Sequence, residues 1–545
     1  MPAPISEILS RYNKLRNDRD GTYLHLWREV RKYVYPSEKD DLVEGSEAGC
    51  DIFDDTAILA RSRLAAGINH WMAPADKRWF EIQTNSKELS KLDEVKNFFS
   101  EITRITTTQI ANSNWQAELN QCLNDAACGC DAVIFVEDGG ADEVLNFRSI
   151  PIESVCYAEN KYRNIDTMFR EMEMTARQIK QLFGYENLPE KIRSASNDKQ
   201  REDDKFKILH ACFPREDRDE SRMDNKNMPF YDLYIDIESK ALLYEGGFEE
   251  FPFAVCRFER TNKEIYGRGP GINLLPSIRQ LNKMQEAFVF AMQMSCDPAW
   301  LIPDNSIIGN TFDRNHGAIN YYKPDPTGNK PEQVRLYTDF QTLSLKIQEL
   351  QEKIKQGFYL DIFDPLGDLK NITATEAEIR DNGKIIPFAP IAGNLHTQFF
   401  RPILQRVVGI LSRRGMLPEA PSVLSNDSSY KIEFVSKIAL AIQKIESLGW
   451  LQTEAALANI FNINPSVSDN FDMDMIARDI AAVNGGNPRW IRTEKDRDEI
   501  RKQRAIDEEN QARAAEMANA INKVDIMKRP ETGSVGDMVI SNMGV

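Results

Sequence analysis

Three glycines stand at every second position in FERTNKEIYGRGPGINLLPSIRQLN, residues 258–282: Gly267, Gly269 and Gly271. An apolar segment precedes them and a helical pattern follows, the setting of a loop that cradles phosphate on backbone N–H groups. The chemistry such a loop supports is nucleotide binding, and the neighbouring residues remove it. A Walker-type loop carries Gly-Lys-Ser/Thr into its helix, where the lysine and the hydroxyl hold phosphate and magnesium. Here Pro270-Gly271-Ile272-Asn273 stands in that place. Pro270 also deletes an N–H from the middle of the would-be cradle. A dinucleotide fingerprint needs G-x-G-x-x-G/A, but this stretch reads G-x-G-x-G with Leu274 where the small residue belongs. The glycines therefore read as a backbone corner ahead of a helix, with freedom at Gly267, Gly269 and Gly271 and stiffness at Pro270.

The other chemistry-bearing clusters are weaker. Cys122, Cys128 and Cys130 in CLNDAACGC lack paired C-x-x-C units and nearby histidines, so they read as buried thiols where a helix meets a strand. The acids of DNFDMDMI, residues 469–476, resemble a cation loop without its turn glycine and terminal glutamate, so they read as solvated helix-capping acids. His25, His70, His210, His316 and His396 are dispersed, with no HExxH, and no G-x-S-x-G elbow is present. No catalytic residue, cofactor site or metal ligand is assigned.

The elements that position these residues mix helix and strand. Residues 5–35 carry a three-to-four apolar spacing that Pro36 ends. ILARSRLAAGINHWM reads as a second helix whose Ala65-Ala66-Gly67 lets another backbone approach, and residues 92–128 as a further helical stretch. KRWFEIQT, DAVIFVED, VCYAE, TMFREMEM, KILHACF, YDLYID and FAVCRF read as strands, with a helix at TARQIKQLF and a polar surface loop at SNDKQREDDK. This is an α+β, helix-rich pattern without even βαβ alternation. Two helices, about 272–295 and 339–362, bracket a loop-rich insert and must lie side by side for its ends to meet. DPLGDLKN breaks the second of them. Thr373 and Glu376 stand in capping-box register for a further helix, which Pro387 and Pro390 must kink.

Bulk composition narrows the partners. The 545 residues carry 84 Asp and Glu against 68 Lys and Arg, a formal charge of −16. That balance disfavours tight wrapping of DNA, which relies on neutralised phosphates. No apolar run approaches the roughly 20 residues that span a bilayer, so no membrane partner is expected. MPAPISEILSRYNKL lacks a basic region followed by an apolar block, so no secretory signal is read. The eight scattered cysteines suit a reducing compartment.

FPFAVCRFERTNKEIYGRGPGINLLPSIRQLNKMQEAF followed by DPAWLIPDN resembles the signature region of the bacteriophage head-to-tail connector family, the portal proteins of short-tailed phages (podoviruses). IFDDTAILARSRLAAGINHWMAPADKRWFEI, FRSIPIESVCYAENKYRNIDTMFREMEMTARQIKQLFG and NITATEAEIR are similar to it in the same order, and the likeness thins past Leu424. The resemblance implies a portal-type subunit with wing, two-helix stem, inserted α/β clip and helical crown, assembling into a ring. Residues 1–265 would be the N-terminal wing, 266–297 the first stem helix, 298–337 the clip and 338–363 the second stem helix. A tunnel loop would follow at 364–372, the C-terminal wing at 373–436, the crown at 437–525 and a flexible tail at 526–545. It further implies a dodecamer at one capsid vertex of the virion, assembled in the host cytoplasm. Double-stranded DNA would pass through its channel. Terminase, the major capsid and scaffolding proteins and tail adaptor proteins would be its partners, with no enzyme activity and no cofactor. Lys370 and Asn371 would lie in the tunnel loop and Lys346, Lys353, Lys355 and Lys283 on the stem, as candidates for the channel. Gly267, Gly269, Pro270 and Gly271 would form the hinge between wing and stem. A helical capsid scaffold or adaptor without a conduit is the alternative, and it needs no insert between paired helices.

Overall fold

The computed structural model describes residues 4–36, 51–363 (apart from 76, 87, 141–142, 187, 220–223, 305–312, 314, 324–329 and 335–338) and 386–435 (apart from 425–429). Beyond these it describes 457, 467, 470–483, 492 and 494–528. The chain forms two units, Met1–Glu446 and Ser447–Val545.

In the first unit the helical pattern over 5–35 becomes α1 (Ile5–Arg19), a π-helical turn at Asp20–Leu24 around Gly21, and α2 (His25–Val34). Next comes α3 (Thr56–Met72), started by the Asp54 carboxylate, which accepts from the Thr56 N–H at 2.9 Å. After β1 (Phe80–Thr84), the helical stretch over 92–128 consists of α4 (Asp93–Ala111) and α5 (Trp115–Cys128). Asn114 explains the break. Its amide reaches into β3 (Leu145–Ile150), the partner of β2 (Ala132–Asp138), donating to the Phe147 carbonyl at 2.7 Å and accepting its N–H at 2.9 Å.

An antiparallel five-stranded sheet follows, in the order β4 (Val155–Glu159), β5 (Ile165–Thr175), β6 (Lys205–Pro214), β7 (Phe230–Asp236) and β8 (Ala241–Phe248). α6 (Ala176–Phe183) and α7 (Glu190–Asn197) interrupt it after β5. α6 begins with a full capping box, Thr175 and Gln178 each holding the other's backbone N–H. The period of two along β6 decides which face each side chain serves. Leu209, Ala211 and Phe213 pack with Ile8, Leu9 and Tyr12 of α1, while Phe206 and Ile208 pack with Ile179 of α6 and Ile192 of α7. β9 (Phe253–Cys256) pairs with β2 to complete a second sheet, β3-β2-β9.

α8 (Pro270–Cys296) and α9 (Phe340–Gly357) lie side by side and antiparallel. Phe288 late in α8 meets Phe340 at the start of α9, with centroids 6.0 Å apart and edge to face. At the other end a Cβ on Gly357 would fall 2.6 Å from Leu274. Between them β10 (Trp300–Pro303), β11 (Ile319–Tyr322) and β12 (Glu332–Gln333) form a sheet in the order β11-β10-β12. An α/β insert was expected; its described residues hold strands and no helix.

α10 (Leu360–Phe363) lays Phe363 over Gly67, where a Cβ would sit 2.5 Å from the ring. Gly67 thus admits an aromatic ring on α3. Residues 364–385, with DPLGDLKN, Lys370, Asn371 and the Thr373/Glu376 register, lie outside the described residues. The proline-bearing segment is a relay of short pieces: a 3₁₀ turn at Ile386–Phe388, α11 (Ala389–Asn394) with Pro390 in its first turn, a π turn at Leu395–Phe400, and α12 (Arg401–Arg413) restarting at Pro402. β13 (Tyr430–Phe434) then returns to pair with β1. The main core joins α2, α3, α5, β2, β9, α8, α9 and α12 around Trp27, Trp115, Phe399 and Phe400.

In the second unit α13 (Met473–Val483) and α14 (Glu494–Lys528) are described. No helix among the described residues is long and apolar enough to cross a membrane.

Candidate functional site

The glycine corner packs directly on the end of α5. Gly129 closes that helix at φ +117°, a left-handed conformation that disfavours any side chain. A Cβ on Gly271 would lie 1.8 Å from the Cys128 carbonyl oxygen, and one on Gly269 2.4 Å from that of Ala126. Neither Gly267, Gly269 nor Gly271 has a positive φ. Gly269 and Gly271 allow close approach of two backbones, and Gly267 leaves room for the Asp131 carboxylate, where a Cβ would fall 2.6 Å from its oxygen; none of the three serves the conformational freedom that the spacing suggested.

The corner does hold an anion, but an internal one. The Gly267 N–H donates to both carboxylate oxygens of Asp131, each at 3.0 Å, and the Tyr157 hydroxyl donates to the same carboxylate. Two neighbouring amides are also taken. Arg268 N–H donates to the Glu259 carbonyl at 2.8 Å, and Gly269 N–H faces the Gly129 carbonyl at 3.4 Å. Burial raises the Asp131 carboxyl to about 6, against the pull of its hydrogen bonds and of Arg257. Arg257 in turn donates to Gln398 at 3.0 Å, to the Arg163 carbonyl at 3.2 Å and to Glu159. Four separate stretches of chain are thereby fastened at one point. Sequence reasoning missed Asp131 and Arg257. The signal for Asp131 was present as a lone charge inside the apolar run AACGCDAVIFV.

The lysines of α8 and α9 do not form one patch. Lys346 and Lys353 of α9, seven residues apart, share a face, and Lys355 is turned from Lys353 by about 200°. Lys346 pairs with Glu349 at 2.8 Å, Lys355 with Glu352 at 2.6 Å and Lys283 of α8 with Glu286 at 3.4 Å. Lys353 is exposed and has no ion-pair partner among the described residues.

Cys122, Cys128 and Cys130 are buried free thiols at the junction of α5 and β2. Burial pushes the Cys122 thiol up. Asp472 caps α13, accepting from the Met475 N–H at 3.0 Å, as helix-capping acids should. His210 is buried, stacked on Tyr234 and within 2.9 Å of Asp232, and His396 is stacked on Phe434. No group of three or more potential metal ligands occurs among the described residues.

What this geometry defines is a joint: a sheet-bearing unit locked, by backbone contact and one buried carboxylate, to a helical hairpin that carries an inserted sheet. The chain belongs to the bacteriophage head to tail connecting protein family, whose model it matches over residues 6–491. The match runs well past Leu424, where the resemblance was read as thinning. Among its relatives, the probable portal protein of Bordetella phage BPP-1 is 27% identical over 526 residues, covering 95% of this chain and 93% of that one. The portal protein of Salmonella phage epsilon15 is 24% identical over 521 residues, covering 93% and 92%.

Proposed function

We propose that the chain is the subunit of a phage portal, a ring at one capsid vertex through which DNA is packaged and later ejected. The observation that carries this reading is the similarity to two proteins named as portals across more than nine-tenths of each chain. The antiparallel hairpin with an inserted sheet suits it, because an adaptor without a conduit needs no such insertion. In this reading residues 1–265 and 373–436 form the wing, α8 and α9 the stem, 298–337 the clip, 364–372 the tunnel loop, and 437–525 the crown. Gly267, Gly269, Pro270 and Gly271 join wing to stem. Twelve copies form the ring, which meets capsid and scaffolding proteins at its rim and terminase, then tail adaptors, at the clip. Movement of DNA is powered by terminase, and the portal itself catalyses nothing. The formal −16 of each chain disfavours tight wrapping of DNA over the whole surface, so that duplex can slide.

End-on electron microscopy of the purified chain tests the reading. A closed ring of twelve with an axial hole at least as wide as a duplex, about 20 Å from groove dimensions, is expected. A persistent monomer that binds capsid protein would overturn it in favour of a scaffold or adaptor.

A further inference from the structure

Five arginines line one cleft of about 400 Å³ in the second unit: Arg478 of α13, Arg492 just before α14, and Arg497, Arg501 and Arg504 of α14. The spacing of 497, 501 and 504 puts three guanidiniums on one helix face. Asp474 is the one carboxylate among the described residues lining the cleft. It accepts two parallel bonds from Arg501, both at 2.7 Å, and faces Arg497 at 3.1 Å. Arg497 also turns to Asp498 at 2.7 Å. Arg492 and Arg504 have no ion-pair partner among the described residues.

Guanidiniums keep their charge at any working pH, and the carboxylate of Asp474 is held low by its arginine bonds. Among the described lining residues cations therefore outnumber carboxylates under all ordinary conditions, in a chain whose overall charge is acidic. Their mutual repulsion is unfavourable until an anion enters. The choice of residue is informative as well. Among the described residues every basic group on the lining is arginine, and the exposed Lys502 stays off it. Planar forks suit the paired oxygens of phosphate better than an ammonium does.

We propose that the cleft between α13 and α14 binds phosphate oxyanions, supplied by the backbone of the DNA that the ring conducts. The identity of the phosphate source rests on the portal reading. The binding chemistry rests on the arginines.

The test uses full-length protein and a fluorescently labelled duplex, titrated by anisotropy over a salt series, with ring formation followed in parallel by mass photometry. Arg492→Gln with Arg504→Gln removes two guanidiniums and leaves the Asp474 pairs whole. The affinity is expected to fall about tenfold at low salt, and the slope of log affinity against log salt to shallow by about 2, near 0.9 per lost phosphate contact. Asp474→Asn, which removes the lining carboxylate, is expected to tighten binding. Inorganic phosphate at matched ionic strength is expected to displace duplex from the wild type more than from the double variant. Intact rings whose DNA affinity and slope are unchanged in both variants overturn the proposal and leave the portal reading standing. Phosphate binding without duplex binding overturns DNA as the source. A double variant that loses its rings, with unchanged affinity per chain, identifies the face as a contact between copies and overturns the proposal. Wild-type protein that forms no ring counts against the portal reading instead.

Discussion

Gly267 and Asp131 are joined across 136 residues by two hydrogen bonds of 3.0 Å from one amide, inside a site that water does not reach. The carboxyl is raised from 3.8 to about 6 by that burial. The folded chain therefore binds a proton that the unfolded chain releases between these two values. The resulting stabilisation is fully present below about pH 4 and is lost as pH rises through 6, by at most about 3 kcal/mol. Asp131→Asn keeps an acceptor for Gly267 and does not titrate. Denaturation midpoints at pH 4.5 and pH 7 should show the asparagine variant gaining on the wild type as pH rises. Asp131→Ala strands the Gly267 amide and the Tyr157 hydroxyl, at a cost of about 1–3 kcal/mol for each.

His396 works in the opposite sense over nearly the same range. Burial against Phe434, with Arg401 nearby, lowers it from 6.5 to about 4. Here the unfolded chain binds the extra proton, so the stabilisation is present above pH 6.5 and is lost as pH falls toward 4. His396→Phe preserves a flat ring over Phe434 and should flatten the acid limb of the stability profile. An acid limb as steep as that of the wild type would dismiss His396 as its source.

Backbone contact at the corner predicts an unequal response among glycines. Gly271→Ala places a carbon 1.8 Å from the Cys128 carbonyl, where two backbones must separate, and should cost about 3 kcal/mol or more. Gly21→Ala, with nothing within 4 Å, should be neutral or stabilise by up to about 1 kcal/mol. Thermal midpoints of the two variants check this directly.

On α8 and α9, Lys346, Lys355 and Lys283 sit in exposed i,i+3 pairs worth about 0.5 kcal/mol at most. Replacing any of them by glutamine should leave the thermal midpoint unchanged. Lys353→Gln breaks no ion pair among the described residues, so a change in salt-dependent duplex retention by the purified protein would report on contact with DNA alone. Its expected size is a slope reduced by about 1.

The sequence was most legible where local pattern and tertiary contact agree. The paired helices, most of the strands and the punctuating prolines could be read because apolar period and backbone restriction act within a few residues. β8 was missed because ALLYEGGF hides its strand behind two glycines, and β13 because its partner lies at the other end of the unit. The division between α4 and α5 depends on Asn114 finding Phe147, which no local signal announces. At the corner the spacing suggested an anion and the missing lysine argued against one. Both readings were sound, since the anion is the protein's own Asp131. The arginine cleft was hidden for a different reason: its residues draw on two helices, and DNFDMDMI was weighed for its acids rather than for the cations that Asp474 gathers.

The pairing of β1 with β13 sets an order of events in time. Residues 80–84 leave the ribosome with one edge open, and the strand that covers it, 430–434, is made roughly 350 residues later. At about 5–20 residues per second that interval is on the order of 20–70 s. Throughout it, FEIQT offers unpaired backbone groups to whatever strand comes near, including the same segment on a neighbouring nascent chain. The inserted hairpin is synthesised within this window, so subunits able to meet through it would do so before either had closed. Yield of well-formed protein should therefore depend on how quickly translation reaches residue 434, and on what keeps nascent chains apart until it does.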